Sequence, residues 1–441
     1  MRVASAQTRQ LFREPTGGDL GTKIIDANSW SISRVPDRLR GVNAKAYEPN
    51  VIPIGPYFRF HYTEHSEALE VVKKNCFSRI IEKTKLDPIV FVEAMKSMAE
   101  RVNKFYKDEP DYFPEMLVLD GCFIVQLILG EYPEEDFCQL GRIQTDIRYD
   151  LLLLENQLPF FVLFELYRII TSKGEDALDE FARLALSLFT KEAQGTEMWS
   201  ENYCPTATKD IKHLLGLVHD TCLPSPQGRE LHRDFKQKAE AEAKEPKSQR
   251  SWKFIRSATE LEEAGINFFG DNKNKLGVES LFDIKFTDDT KELKIPTFHV
   301  DDNTERILRN LMAYEQSIPS SEPTYVCDYV TFMDNLINTG KDVQLLCNCG
   351  VIDNWLGDDE AVAQMLNKLR NNIYSSEDFY YAEIFGKVNE HCQRKWNKWK
   401  ATLKRDYFNS PWSLISFLAA VILLLLTIIQ TLFSVLSYVH Q

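Results

Sequence analysis

Three carboxylates stand in the most apolar stretches of this chain. Asp120 lies within Met116-Leu-Val-Leu-Asp-Gly-Cys-Phe-Ile-Val-Gln-Leu-Ile-Leu129, and Asp150 and Glu155 lie in the run from Ile147 through Ile170. An unpaired carboxylate in such surroundings is costly. One chemistry makes the three an acid/base set with displaced pKa values, serving an enzyme such as a hydrolase. The other makes them caps and salt-bridge residues, with partners such as Arg148, Arg168 or Arg309, in a buried polar network. The absence of any accompanying nucleophile or phosphate-binding loop favours the network, whose candidate members are Asp120, Asp150, Glu155 and Arg309. His61 and His65 are four apart, a helical metal-ligand spacing, but lack a third ligand nearby. Cys347-Asn-Cys349 is one residue too tight for a redox pair or a usual zinc knuckle.

Other reactive signatures are missing. The sequence contains no Gly-x-x-x-x-Gly-Lys loop, no Gly-x-Ser-x-Gly elbow, no His-Glu-x-x-His and no Cys-x-x-Cys, so no catalytic residue, cofactor or metal is expected. A net charge of −13 excludes a general nucleic-acid binder. The nine cysteines are odd in number and scattered, which suits a reducing compartment. No Asn-x-Ser/Thr occurs, and the N-terminus lacks the apolar core of a signal peptide.

The elements that must position the acids follow from periodicity. Residues 1–29 read as a mobile leader. From Ile32 to Tyr57, four prolines forbid a long helix, while Val35, Leu39, Tyr47, Ile52 and Ile54 give the stretch apolar groups to bury. It reads as an extended ribbon laid over the body. Leu69, Val72, Cys76 and Ile80 mark a helix, Asp87-Pro88 opens the next, and the runs at 116–129 and 147–170 are central core helices, the second bent or divided at Pro159. Leu178 to Leu188 is amphipathic. Residues 223–252, rich in Lys, Glu, Arg and Gln, read as a flexible insertion. Phe282, Ile284 and Phe286 alternate with charges, as do Leu293 and Ile295, predicting a small β-hairpin. Ser257–Gly265 and the segments beginning at Thr304, Tyr325 and Asp359 predict further helices.

The C-terminal stretch is of another kind. From Tyr407 to Val439 no residue is charged, and about 25 helical residues at ~1.5 Å each reach roughly 37 Å, enough for a ~30 Å hydrocarbon layer. A transmembrane helix over 411–439 is therefore expected, with Pro411, Trp412, Leu424, Leu425 and Tyr438 as anchor residues. The 391–410 segment is basic and aromatic, with Arg394, Lys395, Lys398, Lys400, Lys404 and Arg405 forming a juxtamembrane collar. This predicts a tail-anchored, single-pass protein with the lipid bilayer as a partner, its body cytosolic, in the plasma membrane or endoplasmic reticulum. An external body reached by an unconventional route remains the alternative. Thr427, Gln430, Thr431, Ser434 and Ser437 form a polar stripe able to pair two copies as a homodimer, or to bond back to their own helix.

Several blocks carry a resemblance. Val35-Pro36, Leu39-Arg40, Ala46-Tyr47-Glu-Pro49 and Ile54-Gly-Pro-Tyr57 resemble the opening of the plant family known as domain of unknown function 247. So do Asp150-Leu-Leu-Leu-Leu-Glu-Asn-Gln-Leu-Pro-Phe160, Ser257-Ala-Thr-Glu-Leu-Glu-Glu-Ala-Gly265, Leu308-Arg-Asn-Leu-Met-Ala-Tyr-Glu-Gln316 and Pro411-Trp412. The resemblance runs in family order from about residue 30 to the C-terminus. It implies a largely helical plant membrane protein with no established reaction. Some grass members are implicated in self-incompatibility, which implies recognition or signalling for those members.

The expected fold is mainly α: a helical domain over 30–390 with a small β-hairpin, followed by one C-terminal transmembrane helix. The expected function is a recognition or interaction component with an unknown protein partner. The alternative is a membrane-associated enzyme using Asp120, Asp150 and Glu155.

Overall fold

The computed structural model describes residues 32–58, 66–107, 114–131, 143–190, 211–242, 253–271, 280–318, 323–374, 378–393 and 411–439. The leader, the collar from Arg394 to Arg405, His61 and His65 lie outside these residues.

Helices dominate. α1 (Ser66–Thr84) and α2 (Pro88–Ser97) form where the apolar stripes predict them, and the Asp87 carboxylate caps α2 by accepting from the Ile89 N–H at 2.9 Å. α3 (Pro114–Leu129) is the central rod, packed against α1, α2, α5 (Phe160–Thr171) and α6 (Leu178–Thr190). Gly121 lets α5 approach α3 closely, because a Cβ there would stand 2.3 Å from Leu166 Cδ1.

The long apolar run does not form one bent helix. α4 (Gln144–Asp150) ends, nine residues follow without helix, and α5 starts after Pro159. Proline pushes Leu158 out of the helical region and fixes its own φ at −56°. The leucines of 151–154 are still buried. A buried loop is stable only if its backbone groups find partners.

The second half comprises α7 (Leu214–Thr221), α8 (Pro226–Glu242), α9 (Ala258–Glu263), α10 (Thr304–Glu315), α11 (Tyr325–Leu336), α12 (Gly340–Asn348), α13 (Asp359–Leu369) and α14 (Ala382–Gln393). The expected hairpin forms: β2 (Lys285–Thr287) pairs antiparallel with β3 (Glu292–Pro296), Phe286 opposite Leu293. β1 (Asn267–Asp271) adds to β3 in parallel, and β4 (Phe298–Val300) pairs in parallel with β5 (Ile352–Asn354). Residues 226–242, expected in a flexible insertion, are helical. α8 carries little apolar surface, so its composition resembles that of a loop.

The C-terminal expectation is corrected. Residues Pro411–Val439 are helical (α15), but among the described residues no helix is long and apolar enough to cross a membrane. The transmembrane helix, the tail-anchored topology and the single-pass membrane location are withdrawn with it. Leu424 and Leu425 are exposed on α15, Pro411 and Trp412 open the helix, and Tyr438 lies near its end. Of the polar stripe, Thr427 donates to the Leu423 carbonyl at 2.8 Å and Thr431 to the Thr427 carbonyl at 2.7 Å, both within their own helix.

Candidate functional site

The three carboxylates fasten the ribbon to the body. Asp150, fully buried, accepts hydrogen bonds from the backbone N–H groups of Asn50, Val51 and Ile52 at 2.9, 2.7 and 2.8 Å, and Arg306 donates to it at 2.6 Å. Burial drives its pKa upward against the opposing pull of Arg306 and the three N–H groups. Glu155 accepts from the Val35 N–H at 2.5 Å and from Arg40 at 2.6 Å. Asp120 accepts from the Gly55 N–H at 2.9 Å and pairs with Lys73 at 2.8 Å. Lys73 also donates to the Pro53 carbonyl at 2.8 Å and to Glu70 at 2.7 Å. Burial works against its charge, yet Asp120 and Glu70 outweigh it and hold its pKa above the ordinary lysine value.

Amide side chains complete the clasp. Asn156 accepts from the Ile54 N–H at 2.6 Å and donates to the carbonyls of Ile52 and Asp150 at 3.0 and 2.9 Å. Gln157 donates to the carbonyls of Leu151 and Leu153 at 2.6 and 2.9 Å, and Asn310 accepts from the Leu154 N–H at 3.0 Å. These side chains satisfy the buried loop that Pro159 forces out of helix. Gly55 has φ +71°, and a Cβ there would lie 2.9 Å from the Gln157 carbonyl oxygen, so glycine is required at this close approach.

Arg309 is not a partner of these carboxylates. It donates to Glu305 at 2.8 Å and to the Lys368 carbonyl at 3.3 Å. Arg306 and Asn310, about one turn apart on α10, take the position expected for it. Arg168 bonds to Glu165 at 2.8 Å instead. The cations that do close the acids, Lys73, Arg40 and Arg306, come from segments distant in sequence, and only the basic character of Arg38-Leu-Arg40 and Arg306 signals them.

A second buried charged centre joins α7, α10 and α11. His219 Nε2 lies 2.9 Å from Glu315, whose two oxygens accept the N–H groups of Val326 and Cys327 at 2.9 Å each, capping α11. Burial lowers the His219 pKa, but Asp220 and Glu315 raise it further, to about 9. Burial, then Asp359 and Asp353, push the Cys347 thiol up to about 11, and burial also raises Cys349, which disfavours the thiolate form of both. Among the described residues no group of three or more His, Cys, Asp or Glu could hold a metal ion.

An open groove of about 680 Å³ lies between α8, β2 and α14. Its floor includes Asp283, which accepts from the Ser225 N–H at 3.1 Å and the Ser280 N–H at 3.3 Å. Lys236 and His232 of α8 face Asp378, the latter at 3.6 Å.

The chain is thus a helical body whose N-terminal ribbon is locked by carboxylates, two of them from the Asp150–Glu155 block. The chain belongs to the family DUF247, described as a plant protein of unknown function, whose model matches residues 32–426. It is similar to the UPF0481 protein At3g47200 of Arabidopsis thaliana, with 28% identity over 434 residues, covering 94% of this chain and 88% of that one. The putative UPF0481 protein At3g02645 of the same plant is 28% identical over 176 residues, covering 40% of this chain and 32% of that one. No solved structure matches.

Proposed function

We propose that this chain is a recognition component: a helical body that presents a rigid surface to a protein partner and carries out no reaction with its buried acids. The observation that carries this reading is the closure of Asp120, Asp150 and Glu155 by backbone N–H groups and cations. A general acid or base must reach a substrate proton, and Asp150 is 0% exposed. The exposed aromatic residues Trp355, Tyr374 and Phe254 supply contact points of the type enriched at interface hot spots. Trp355 is held in place by donating its indole N–H to Asp353 at 2.8 Å and its backbone N–H to the Val300 carbonyl at 2.9 Å.

Proximity labelling in plant cells tests the reading, comparing the natural chain with a variant carrying Trp355→Ser, Tyr374→Ser and Phe254→Ser. Loss of a defined set of neighbours at equal abundance is the expected result. An unchanged neighbour set removes the support for these contact points, and turnover of a substrate abolished by Asp150→Asn in a folded variant would replace recognition with catalysis.

A further inference from the structure

The groove between α8, β2 and α14 has a volume within the range of small-ligand sites, about 300–1,000 Å³. Its charged groups are already matched. Glu383 pairs with Lys387 at 2.6 Å, Asp283 accepts two backbone N–H groups, and Lys285 has an interaction of its own. Burial holds the His232 imidazole below the usual histidine range, so it is neutral near pH 7.

The polar groups that remain are neutral. The hydroxyls of Tyr380 and Thr287 and the amide of Gln227 line the groove, and the His232 ring is tied to Asp378 and the Tyr380 backbone. Beside them stand the partly buried ring of Phe286 and the exposed Leu231. Among the lining side chains Asp283 and Glu383 are balanced in number by Lys285 and Lys387, so an anion or a cation gains little net attraction. A molecule with many hydroxyls and one apolar face would meet hydroxyls, an amide and a ring.

We propose that this groove binds a neutral, hydroxyl-rich ligand of short-oligosaccharide type, its apolar face laid on Phe286 and its hydroxyls bonded to Tyr380, Thr287 and Gln227. Each added hydrogen bond is modest in water, so the affinity is weak and additive over several contacts. The site is separate from the aromatic contact points assigned to a protein partner.

Ligand-detected NMR on the full chain tests this with cellotriose and xylotriose as neutral probes, and with trigalacturonic acid and benzoate as charged ones. Saturable binding of a neutral trisaccharide is expected, weakened about tenfold by Phe286→Ala and about threefold by Thr287→Val, and unchanged by Phe254→Ala. Circular dichroism checks that each variant is folded; if Phe286→Ala unfolds, the exposed Thr287→Val decides. The proposal is overturned if neither neutral probe binds saturably, if a charged probe binds more tightly, or if binding survives undiminished in the folded groove variants.

Discussion

The clasp under the ribbon and the α8 wall of the groove solve the same problem, holding a segment of low helix or core content onto the body, by opposite means. In the clasp, buried carboxylates and amides bond directly to backbone, and the charges face cations. At α8 the ion pair is exposed: Lys236 and Asp378 are each more than 40% exposed and pair at the surface, while the buried Ser225 caps the helix by accepting from the Gly228 N–H at 3.1 Å. Buried fastenings fix one geometry and are expensive to break. Exposed ones are screened and contribute little. The polar residues of greatest structural weight are thus those least available for recognition.

Breaking the clasp should have the largest effect. Asp150→Ala leaves Arg306 and three backbone N–H groups buried without their acceptor, and should cost about 3–5 kcal/mol, read as a fall in the urea midpoint or loss of folded product. If the midpoint moves by less than about 1 kcal/mol equivalent, the clasp is not what holds the ribbon.

The His219–Glu315 centre sharpens the comparison through pH. The folded His219 pKa, about 9, exceeds the unfolded value of about 6.5, so its stabilisation is fully present below about pH 6.5 and is lost as pH rises through about 9. Stability should fall across that window by on the order of 3 kcal/mol, and His219→Gln should flatten the profile. A profile equally steep in the variant would assign the dependence elsewhere.

Gly55→Ala comes next, at about 1–3 kcal/mol, because the left-handed φ and the Gln157 carbonyl both oppose a Cβ. Thermal melts would show it. The smallest effect belongs to the exposed pair: Lys236→Ala should change global stability by under about 1 kcal/mol while hydrogen exchange in α8 accelerates. A large global loss would place α8 in the same class as the clasp and erase the contrast.

Much of this was legible in the residues. Stripes such as Leu69, Val72, Cys76 and Ile80 marked helices because a buried face must repeat with the helical turn, and alternation around Phe286 marked the hairpin. The ribbon was legible because prolines forbid helix and its apolar residues require burial. The leucines at 151–154 misled, since apolar content alone does not separate a buried loop from a helix; Pro159 together with Asn156 and Gln157 was the available signal. α8 looked like a loop because its face toward the body is polar. β1, β4 and β5 are short parallel partners whose pairing is set by remote segments. For the acids, burial and the need for partners were readable, whereas the pairing with Lys73 and Arg306 was not, because nothing local ties residue 120 to 73 or 150 to 306. The uncharged C-terminal run suggested a bilayer span that the described helix does not supply.

The clasp also dictates an order of events during synthesis. The ribbon leaves the ribosome first, but one of its fastenings, Asp150 with Arg306, is complete only once Arg306 has emerged, 156 residues after Asp150 itself. Until then Ile52 and Ile54 have no finished seat, and a non-local lock of this kind is slow to close. The nascent protein therefore passes through a stage in which its leading segment is sticky and unlatched, and its yield should respond to chaperone supply more than its final stability would suggest.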